Sequence, residues 1–164
     1  MLSRRWSLVV LLIATAANAD QALPPVTLYT PPVCLACIDY AEHLRNNGFT
    51  VTIKASEDMA AVKRRLKVPK HLQAEPSATV GRYFIEGHVP AEDIKELLQD
   101  KRPARGLAVP GLPLGAPGRE FSSPTCDTAC TMLDSDTGQG RVRRELYDTL
   151  LVKPDGDTSI WARH

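Results

Sequence analysis

Residues 26–44, "VTLYTPPVCLACIDYAEHL", join a strand pattern to a helix pattern across two consecutive prolines. The first five residues alternate and include β-branched and aromatic side chains, which is typical of a strand that the prolines then end. Apolar residues next recur at the spacing of one helix face as far as Leu44. The stretch therefore predicts a strand followed by a helix, with Cys34 and Cys37 at the start of the helix.

Strand and helix patterns continue to alternate over the first hundred residues. The predicted elements are a strand at 49–54, a helix from an N-cap at Ser56 to just before Pro69, short strands at 78–80 and 83–85 joined by a tight hairpin, and a third helix that begins at Pro90. The order β-α-β-α-β-β-α, with a cysteine pair at the start of the first helix, predicts a thioredoxin-like α/β fold. An unrelated α/β domain that carries a CxxC motif is the alternative.

The last third of the chain has a different composition. Residues 103–118, "PARGLAVPGLPLGAPG", are rich in Pro and Gly, which predicts no regular structure but a loop wrapped over the core to cover its Leu and Val side chains; a flexible linker is the alternative. Residues 121–140 are polar around a short helix-like piece. Residues 146–152 and 158–162 flank a "PDGD" turn and predict a C-terminal β-hairpin.

The N-terminal residues have the pattern of a secretory signal. Arg4 and Arg5 precede an apolar run from Leu8 to Ala14, and a small-x-small cleavage pattern ends at Ala19. The run is too short to span a bilayer. We therefore expect residues 1–19 to be removed, residues 20–164 to form one domain with no membrane span, and the mature protein to be periplasmic or secreted. A retained anchor is the alternative.

Charge excludes some classes of partner. The chain has 20 Lys and Arg against 19 Asp and Glu, and loss of Arg4 and Arg5 would leave it close to neutral. No basic surface for nucleic acid or anionic lipid is indicated. We also recognise no catalytic Ser-His-Asp grouping, phosphate loop or carboxylate pair, so whether the chain is an enzyme is left open.

The four cysteines are the residues most suited to chemistry. Cys34 and Cys37 are three residues apart at a predicted helix N-terminus, which favours the thiolate form that attacks disulfides and binds metals. Cys126 and Cys130, four apart, would share one face of a helix. Two thiolates suit low-coordinate Cu(I), with Met132 as a further soft ligand, whereas Zn prefers four ligands.

Two other uses of the cysteines remain open. A disulfide closing a four-residue loop stabilises a protein by about 2 kcal/mol, against about 4.5 for a loop of about ninety residues, so two local pairs make weak structural staples. Thiol–disulfide exchange would use Cys34 to attack and Cys37 to resolve. However, Leu35 and Ala36 supply no cation, and no proline occurs at residues 79–81, where we expected the cis-proline of thioredoxin-like oxidoreductases.

Other polar and aromatic residues receive structural interpretations. His88 is expected to be a hydrogen-bonded structural residue rather than a ligand, and His43 a solvated helix residue. His71 and His164 carry no functional signal. Glu92, Asp93, Lys95 and Glu96 are expected to form a solvated face, and Tyr147 and Trp161 to pack in the C-terminal hairpin.

Several segments resemble one bacterial family. These are "EHLRNNGFTV", "DMAAVKRRLKVP", "YFIEGHVPAEDIKELL", "GLAVPGLPLGAPG" and "YDTLLVKPDGDTSIWARH". They resemble domain of unknown function 411, small exported proteins often labelled metal-binding and linked with copper or heavy-metal resistance. The resemblance implies a thioredoxin-like fold and a periplasmic metal-handling or thiol partner.

The chain departs from that family at its soft-ligand positions. The family's C-G-C-C motif is reduced to Cys34 and Cys37, with Ala36 at its middle cysteine. Glu75-Pro76 stands in place of a Cys-His pair. Leu112 and Arg119 stand in place of methionines. A polar insertion at about 121–144 adds Cys126, Cys130 and Met132.

The sequence predicts a protein that binds a soft metal, with Cu(I) favoured over Zn, through these cysteines. The alternatives are a thiol–disulfide oxidoreductase and a partner-binding domain with structural disulfides.

Overall fold

The computed structural model describes residues 22–120 and 145–164. Within these ranges the strands are β1 (Val26–Thr30), β2 (Val51–Ala55), β3 (Ser77–Val80), β4 (Tyr83–Glu86), β5 (Gly106–Ala108), β6 (Asp148–Val152) and β7 (Thr158–Arg163). The helices are α1 (Leu35–Asn46), α2 (Met59–Leu66) and α3 (Ala91–Asp100), with one 3-10 turn at Lys70–Leu72. Nothing in the described residues is a helix long and apolar enough to cross a membrane.

The seven strands form one mixed sheet in the order β2-β1-β3-β4-β5-β6-β7. β1 is parallel to β2 and antiparallel to β3, and β3 and β4 form the predicted hairpin across Gly81-Arg82. β6 and β7 form the predicted C-terminal hairpin, which extends the same sheet through β5. The element order and pairing confirm the thioredoxin-like α/β fold.

The Pro/Gly-rich loop contains one strand that the sequence did not predict. Residues Gly106–Ala108 pair with β4 on one side and β6 on the other. The prediction of no regular structure was wrong at these three residues. Glycine is typical of turns, but here Gly106 is part of a strand and is required by its close pairing with β4. A Cβ at Gly106 would overlap the carbonyl oxygen of Phe84, so close strand pairing excludes a side chain. Elsewhere in the loop Val109 and Ala116 are fully buried, as predicted for a loop over the core, whereas Leu112 is 38 % exposed.

The N-cap of the second helix lies two residues after the predicted N-cap, Ser56. Asp58 is the N-cap, and its Oδ1 accepts a hydrogen bond from the backbone N–H of Ala61 at 2.7 Å. Ser56 instead accepts from the N–H of Asp58. Both residue types cap helices well, so the sequence pattern alone does not separate them.

The main core lies between the sheet and the helices that flank it. Its fully buried members include Leu28 on β1, Tyr40 on α1, Ile94 on α3 and Leu107 on β5. A second, smaller group of buried residues joins the end of α2 to β4, β5 and β6, and consists of Val68, Leu72, Phe84, Ala108 and Val152. The start of α1 is thus fixed by packing on a well-filled core.

Candidate thiol site at the first helix

Cys34 and Cys37 form a disulfide at the N-terminus of α1, with their Cα atoms 5.3 Å apart. Cys34 is the N-cap in an extended conformation, and its Sγ accepts from the N–H of Cys37 at 3.2 Å. The prolines that precede it end β1 and prevent the helix from starting earlier. The predicted local pairing of these two cysteines is therefore present.

The two sulfurs differ in access to solvent. Cys37 is fully buried, whereas Cys34 is partly exposed. The exposed side chains on either side are apolar, with Val33 86 % exposed, Leu35 51 % and Ile38 54 %. We call these three residues the apolar rim. An attacking group can reach Cys34 past the apolar rim, while Cys37 is shielded.

A proline lies beside this site, contrary to the sequence prediction. The Glu75–Pro76 peptide bond is cis. Ser77 pairs with Tyr29 in the β1–β3 register, so Pro76 lies next to the end of β1, where the cysteine loop begins. The prediction that the proline is missing was wrong because it placed the position at the β3–β4 turn instead of before β3. A proline directly before a predicted strand was the available signal.

The Pro/Gly-rich loop packs against the first turns of α1. At Gly118, φ is +78°, and a Cβ there would lie 2.6 Å from the backbone nitrogen of Tyr40 and 2.8 Å from the carbonyl oxygen of Ala36. Only glycine fits such an approach. Residues 117–119 are therefore held beside the turn that carries Cys37.

His88 anchors the same loop. Its Nδ1 lies 2.6 Å from the carbonyl oxygen of Pro117, and its ring is 5.1 Å from the ring of Tyr40. The Tyr40 hydroxyl donates to the carbonyl of Val89 at 2.8 Å. Burial lowers the pKa of His88 to about 4, so the ring is neutral at pH 7. The hydrogen-bonded structural role predicted for His88 is present.

Arg119 ends this loop as a buried cation. The residue is 6 % exposed. Its Nε and Nη1 atoms have no hydrogen-bond partner among the described residues. Burial lowers the pKa of the guanidinium, and the charge of Glu145 opposes that shift. Sequence reasoning noticed Arg119 as a departure from the family pattern but did not place it beside α1.

The prediction that His43 is solvated was wrong. Its Nε2 accepts a hydrogen bond from the N–H of Ala91, the first residue of α3, at 3.2 Å. Pro90 has no side-chain group to cap α3, so His43 satisfies that donor from α1. Burial is the main cause of the lowered pKa of His43.

Asp93 also departs from the solvated face that the sequence predicted. It is buried, and its Oδ2 accepts from the Thr149 hydroxyl at 2.6 Å and lies 2.9 Å from Nε2 of His164. His164, which carried no sequence signal, stacks on Tyr147. These contacts join α3 to the C-terminal hairpin. The partly buried Tyr147 and Trp161 pack on the core as expected.

The buried ionic cluster around Lys63 was not predicted from the sequence. Lys63 Nζ lies 2.7 Å from Glu86 Oε1, 3.3 Å from Glu75 Oε1 and 3.0 Å from Ser77 Oγ, and it also contacts the carbonyl oxygen of Ala74. Burial raises the pKa values of Glu86 and Glu75, and Lys63 opposes both shifts. The signal available was a glutamate ending the apolar strand "YFIE".

The described residues supply only part of the predicted ligand set. Cys34 and Cys37 are brought together, while Cys126, Cys130 and Met132 lie outside the described residues. Across residues 22–120 and 145–164 there is no group of three or more His, Cys, Asp or Glu that could hold a metal ion. Two sulfurs fit a low-coordinate Cu(I) ion. In the disulfide both sulfurs are bonded to each other, so metal binding requires reduction.

Comparison with known proteins identifies the family. The sequence model described as "Protein of unknown function, DUF411" matches residues 76–119. A solved structure titled "Copper resistance protein copG, Form 1" is similar over 87 % of this chain and 98 % of its own, with 32 % sequence identity and a TM-score of 0.70. The chain belongs to the DUF411 family. A second structure, "Form 2" of the same protein, has the same identity and coverage and a TM-score of 0.71. A search of curated proteins gave no match.

The DUF411 match covers only one side of the candidate site. It begins at Pro76 and ends at Arg119, so it includes β3, β4, His88 and the Pro/Gly-rich loop. Cys34 and Cys37 lie outside it. The family match therefore supports the scaffold around the thiols, and the chemistry of the thiols has to be argued from their geometry.

Proposed function

We propose that this chain is an exported copper-handling protein that binds Cu(I) through the thiolates of Cys34 and Cys37. The observation that carries the proposal is the placement of both sulfurs together at the N-terminus of α1, with Cys34 reachable from solvent. The positive end of the helix dipole favours thiolates there. The copper resistance titles of the similar solved structures support copper as the metal.

The binding reaction starts from the reduced pair. An external dithiol reduces the Cys34–Cys37 bond to two thiols and is itself oxidised to a disulfide. Binding of one Cu(I) ion then releases two protons and leaves a bis-thiolate complex with one net negative charge. Cys126, Cys130 and Met132 are proposed as additional soft ligands. Zn is less suited because two thiolates fill only half of the tetrahedral set that it prefers.

Export is part of the proposal. Residues 1–19 are proposed to be a cleaved signal, which leaves residues 20–164 as one domain with an insertion at about 121–144, in the periplasm or secreted. The oxidising environment of such compartments agrees with a disulfide in the resting protein. The intact mass of periplasmic material should correspond to a chain that begins at Asp20; membrane-bound material that retains Met1 would contradict it.

A chelator competition titration tests the metal site. Anaerobically reduced protein should take up about one Cu(I) per chain, and Cys34→Ser or Cys37→Ser should abolish uptake, because one thiolate does not hold the ion against competing ligands. Val33→Ser, a change at the exposed neighbour of Cys34, is the matched control and should bind as the wild type does. Cys126→Ser should weaken binding if the insertion supplies a ligand. Wild-type binding by Cys34→Ser would exclude the proposed site.

A second candidate function is thiol–disulfide exchange, which the unequal access of the two sulfurs favours. A substrate thiolate would attack Cys34 Sγ, the Cys34–Cys37 bond would break, and Cys37 would leave as the thiolate. A second substrate thiolate would then release Cys34, so that the substrate becomes a disulfide and this pair a dithiol. The sequence argument against this activity relied on a missing proline and on Leu35 and Ala36, which supply no cation. Pro76 removes the first of these two points, and the second stands.

The two functions predict different results with a reduced dithiol peptide. Exchange predicts one mole of peptide disulfide formed per mole of oxidised protein, lost in Cys34→Ser and retained in Cys126→Ser. A protein that only binds copper should leave the peptide reduced over the same time. The metal titration and the peptide assay together separate a binder from an oxidoreductase.

A further inference from the structure

Arg119 is a buried cation whose hydrogen-bonding capacity is not used by the described residues. It is 6 % exposed, and both Nε and Nη1 are buried without a partner. A guanidinium is always charged and has five N–H donors. Burying such a group without a counter-charge is costly. Nε and Nη1 are therefore two buried N–H donors available to an anion that the described residues do not supply.

Among the described residues, no neighbouring carboxylate forms an ion pair with Arg119. Glu145 is close enough to favour the charged guanidinium, but it forms no ion pair with it within the described chain, and its Oε2 accepts instead from the N–H of Leu114 at 2.9 Å. His88 is neutral, and Arg119 is among the charges that keep it so. Within residues 22–120 and 145–164, Arg119 therefore forms no ion pair, and its Nε and Nη1 donors remain unused.

The loop that carries Arg119 is fixed beside the thiol site. Gly118 lies against the backbone of Ala36 and Tyr40, and the next Cα is about 3.8 Å further along the chain. The backbone of Arg119 is tied on both sides, since its N–H donates to Ala116 and its carbonyl accepts from Gly115. A long cationic side chain therefore starts within one residue of the α1 turn that contains Cys37.

We propose that Arg119 provides the counter-charge for the anionic form of the Cys34–Cys37 site. This inference rests on the proposed function, because the Cu(I) bis-thiolate carries the net negative charge that Arg119 would balance. A guanidinium has no lone pair for copper and is not a ligand. It acts on the site through charge and through N–H donation to thiolate sulfur, so it is a positioning residue.

Arg119 should lower the stability of the oxidised, metal-free protein and raise the Cu(I) affinity of the reduced protein. In the oxidised, metal-free protein an uncharged residue of similar length should be tolerated better than an unpartnered buried cation, so Arg119→Met should raise the urea midpoint. In the reduced protein the same change should weaken Cu(I) binding about tenfold, the scale of one hydrogen bond to a charged group. Arg119→Lys retains the charge and should recover part of the affinity.

The test compares urea midpoints of the oxidised protein with Cu(I) chelator competition on the reduced protein. Arg64→Met, at an exposed arginine of α2, is the matched control and should change neither. Arg119→Gln removes the charge but keeps an N–H donor, so it should weaken binding, by less than Arg119→Met does.

Each other outcome has a definite meaning. Wild-type affinity in both Arg119→Met and Arg119→Gln would overturn the inference while leaving the copper site in place. A fall in both midpoint and affinity would assign Arg119 an ordinary structural role and overturn it as well. If the wild type binds no Cu(I), the proposed function fails, and this inference fails with it.

Discussion

Lys63 Nζ lies 2.7 Å from Oε1 of Glu86, a fully buried carboxylate at the end of β4. Glu86 Oε1 also accepts from the N–H of Ala74 at 2.8 Å. Glu75 is the second carboxylate of the cluster, so one lysine balances two acidic groups. Because Lys63 also contacts Ala74 and Ser77, it holds the segment that contains Pro76 against β4.

Lys63→Met should lower the free energy of unfolding by about 3–5 kcal/mol, because it leaves the Glu86 carboxylate buried without its cation. Urea denaturation at pH 7 measures the change. Lys54→Met, at an exposed lysine of β2, is the control and should have little effect. Equal midpoints for the two variants would show that Glu86 is neutral or solvated and that the ion pair is not important for stability.

His88 should make stability depend on pH in the acid range. Its pKa falls to about 4 in the fold, mainly through burial, from an ordinary value of 6.5. Between these values the unfolded chain binds more protons than the native protein, so stability is lost as the pH falls from about 6.5 to about 4. The loss attributable to His88 should be about 3 kcal/mol.

His88→Asn isolates this contribution. The asparagine amide stands close to the position of Nδ1 and retains a donor for the carbonyl oxygen of Pro117. Stability measured from pH 7 to pH 4 should therefore fall less steeply in His88→Asn than in the wild type. Glu75 and Glu86, whose raised pKa values act in the opposite direction, are common to both proteins and cancel in the difference. Parallel curves would contradict the neutral, buried state of His88.

The fold was largely predictable because its elements follow local rules. The strand at 26–30, the hairpin across Gly81-Arg82 and the C-terminal hairpin each have side-chain alternation and turn residues within a short window. β5 was missed because its glycine is required by a distant residue, Phe84. A local composition rule contains no information about that contact.

The candidate site was predictable only at its cysteines. Cys34 and Cys37 are only three residues apart in the sequence, so their spacing indicates their pairing. The loop that ends at Gly118 packs on α1, and Pro76 lies beside the end of β1 through the β1–β3 register. The buried positions of Lys63 and Asp93 likewise depend on elements far away in the chain. Charged side chains on helices are usually solvated, and single-sequence patterns do not identify the exceptions.

Gly118→Ala should separate the Pro/Gly-rich loop from α1. The added Cβ would meet two backbone atoms that have little room to move, the nitrogen of Tyr40 at 2.6 Å and the carbonyl oxygen of Ala36 at 2.8 Å. Gly111→Ala is a matched control, since φ is +76° there against +78° at Gly118 and nothing lies within 4 Å of its Cβ. Both variants carry the backbone strain, but only Gly118→Ala adds the clash.

Gly118→Ala should therefore be less stable than Gly111→Ala by about 1–3 kcal/mol, the usual cost of overpacking. Chemical denaturation of both variants under identical conditions measures the difference. The near-ultraviolet circular dichroism of Tyr40 and its neighbours should also change in Gly118→Ala alone. Equal stability would mean that the loop moves off α1 without cost.

Alkylation of the reduced protein should discriminate strongly between the two cysteines of α1. Cys37 is fully buried, whereas Cys34 is partly exposed at the helix N-cap. In a Cys126→Ser, Cys130→Ser background, iodoacetamide should label Cys34 first, and Cys37 should react at least about tenfold more slowly because it waits for local opening. Peptide mass mapping at successive times gives both rates. Dilute urea below the unfolding transition should accelerate Cys37 more than Cys34. Equal rates in native buffer would show that the first turn of α1 unwinds when the disulfide is reduced. The difference in solvent access between the two sulfurs, on which both candidate functions rely, would then hold only for the oxidised protein.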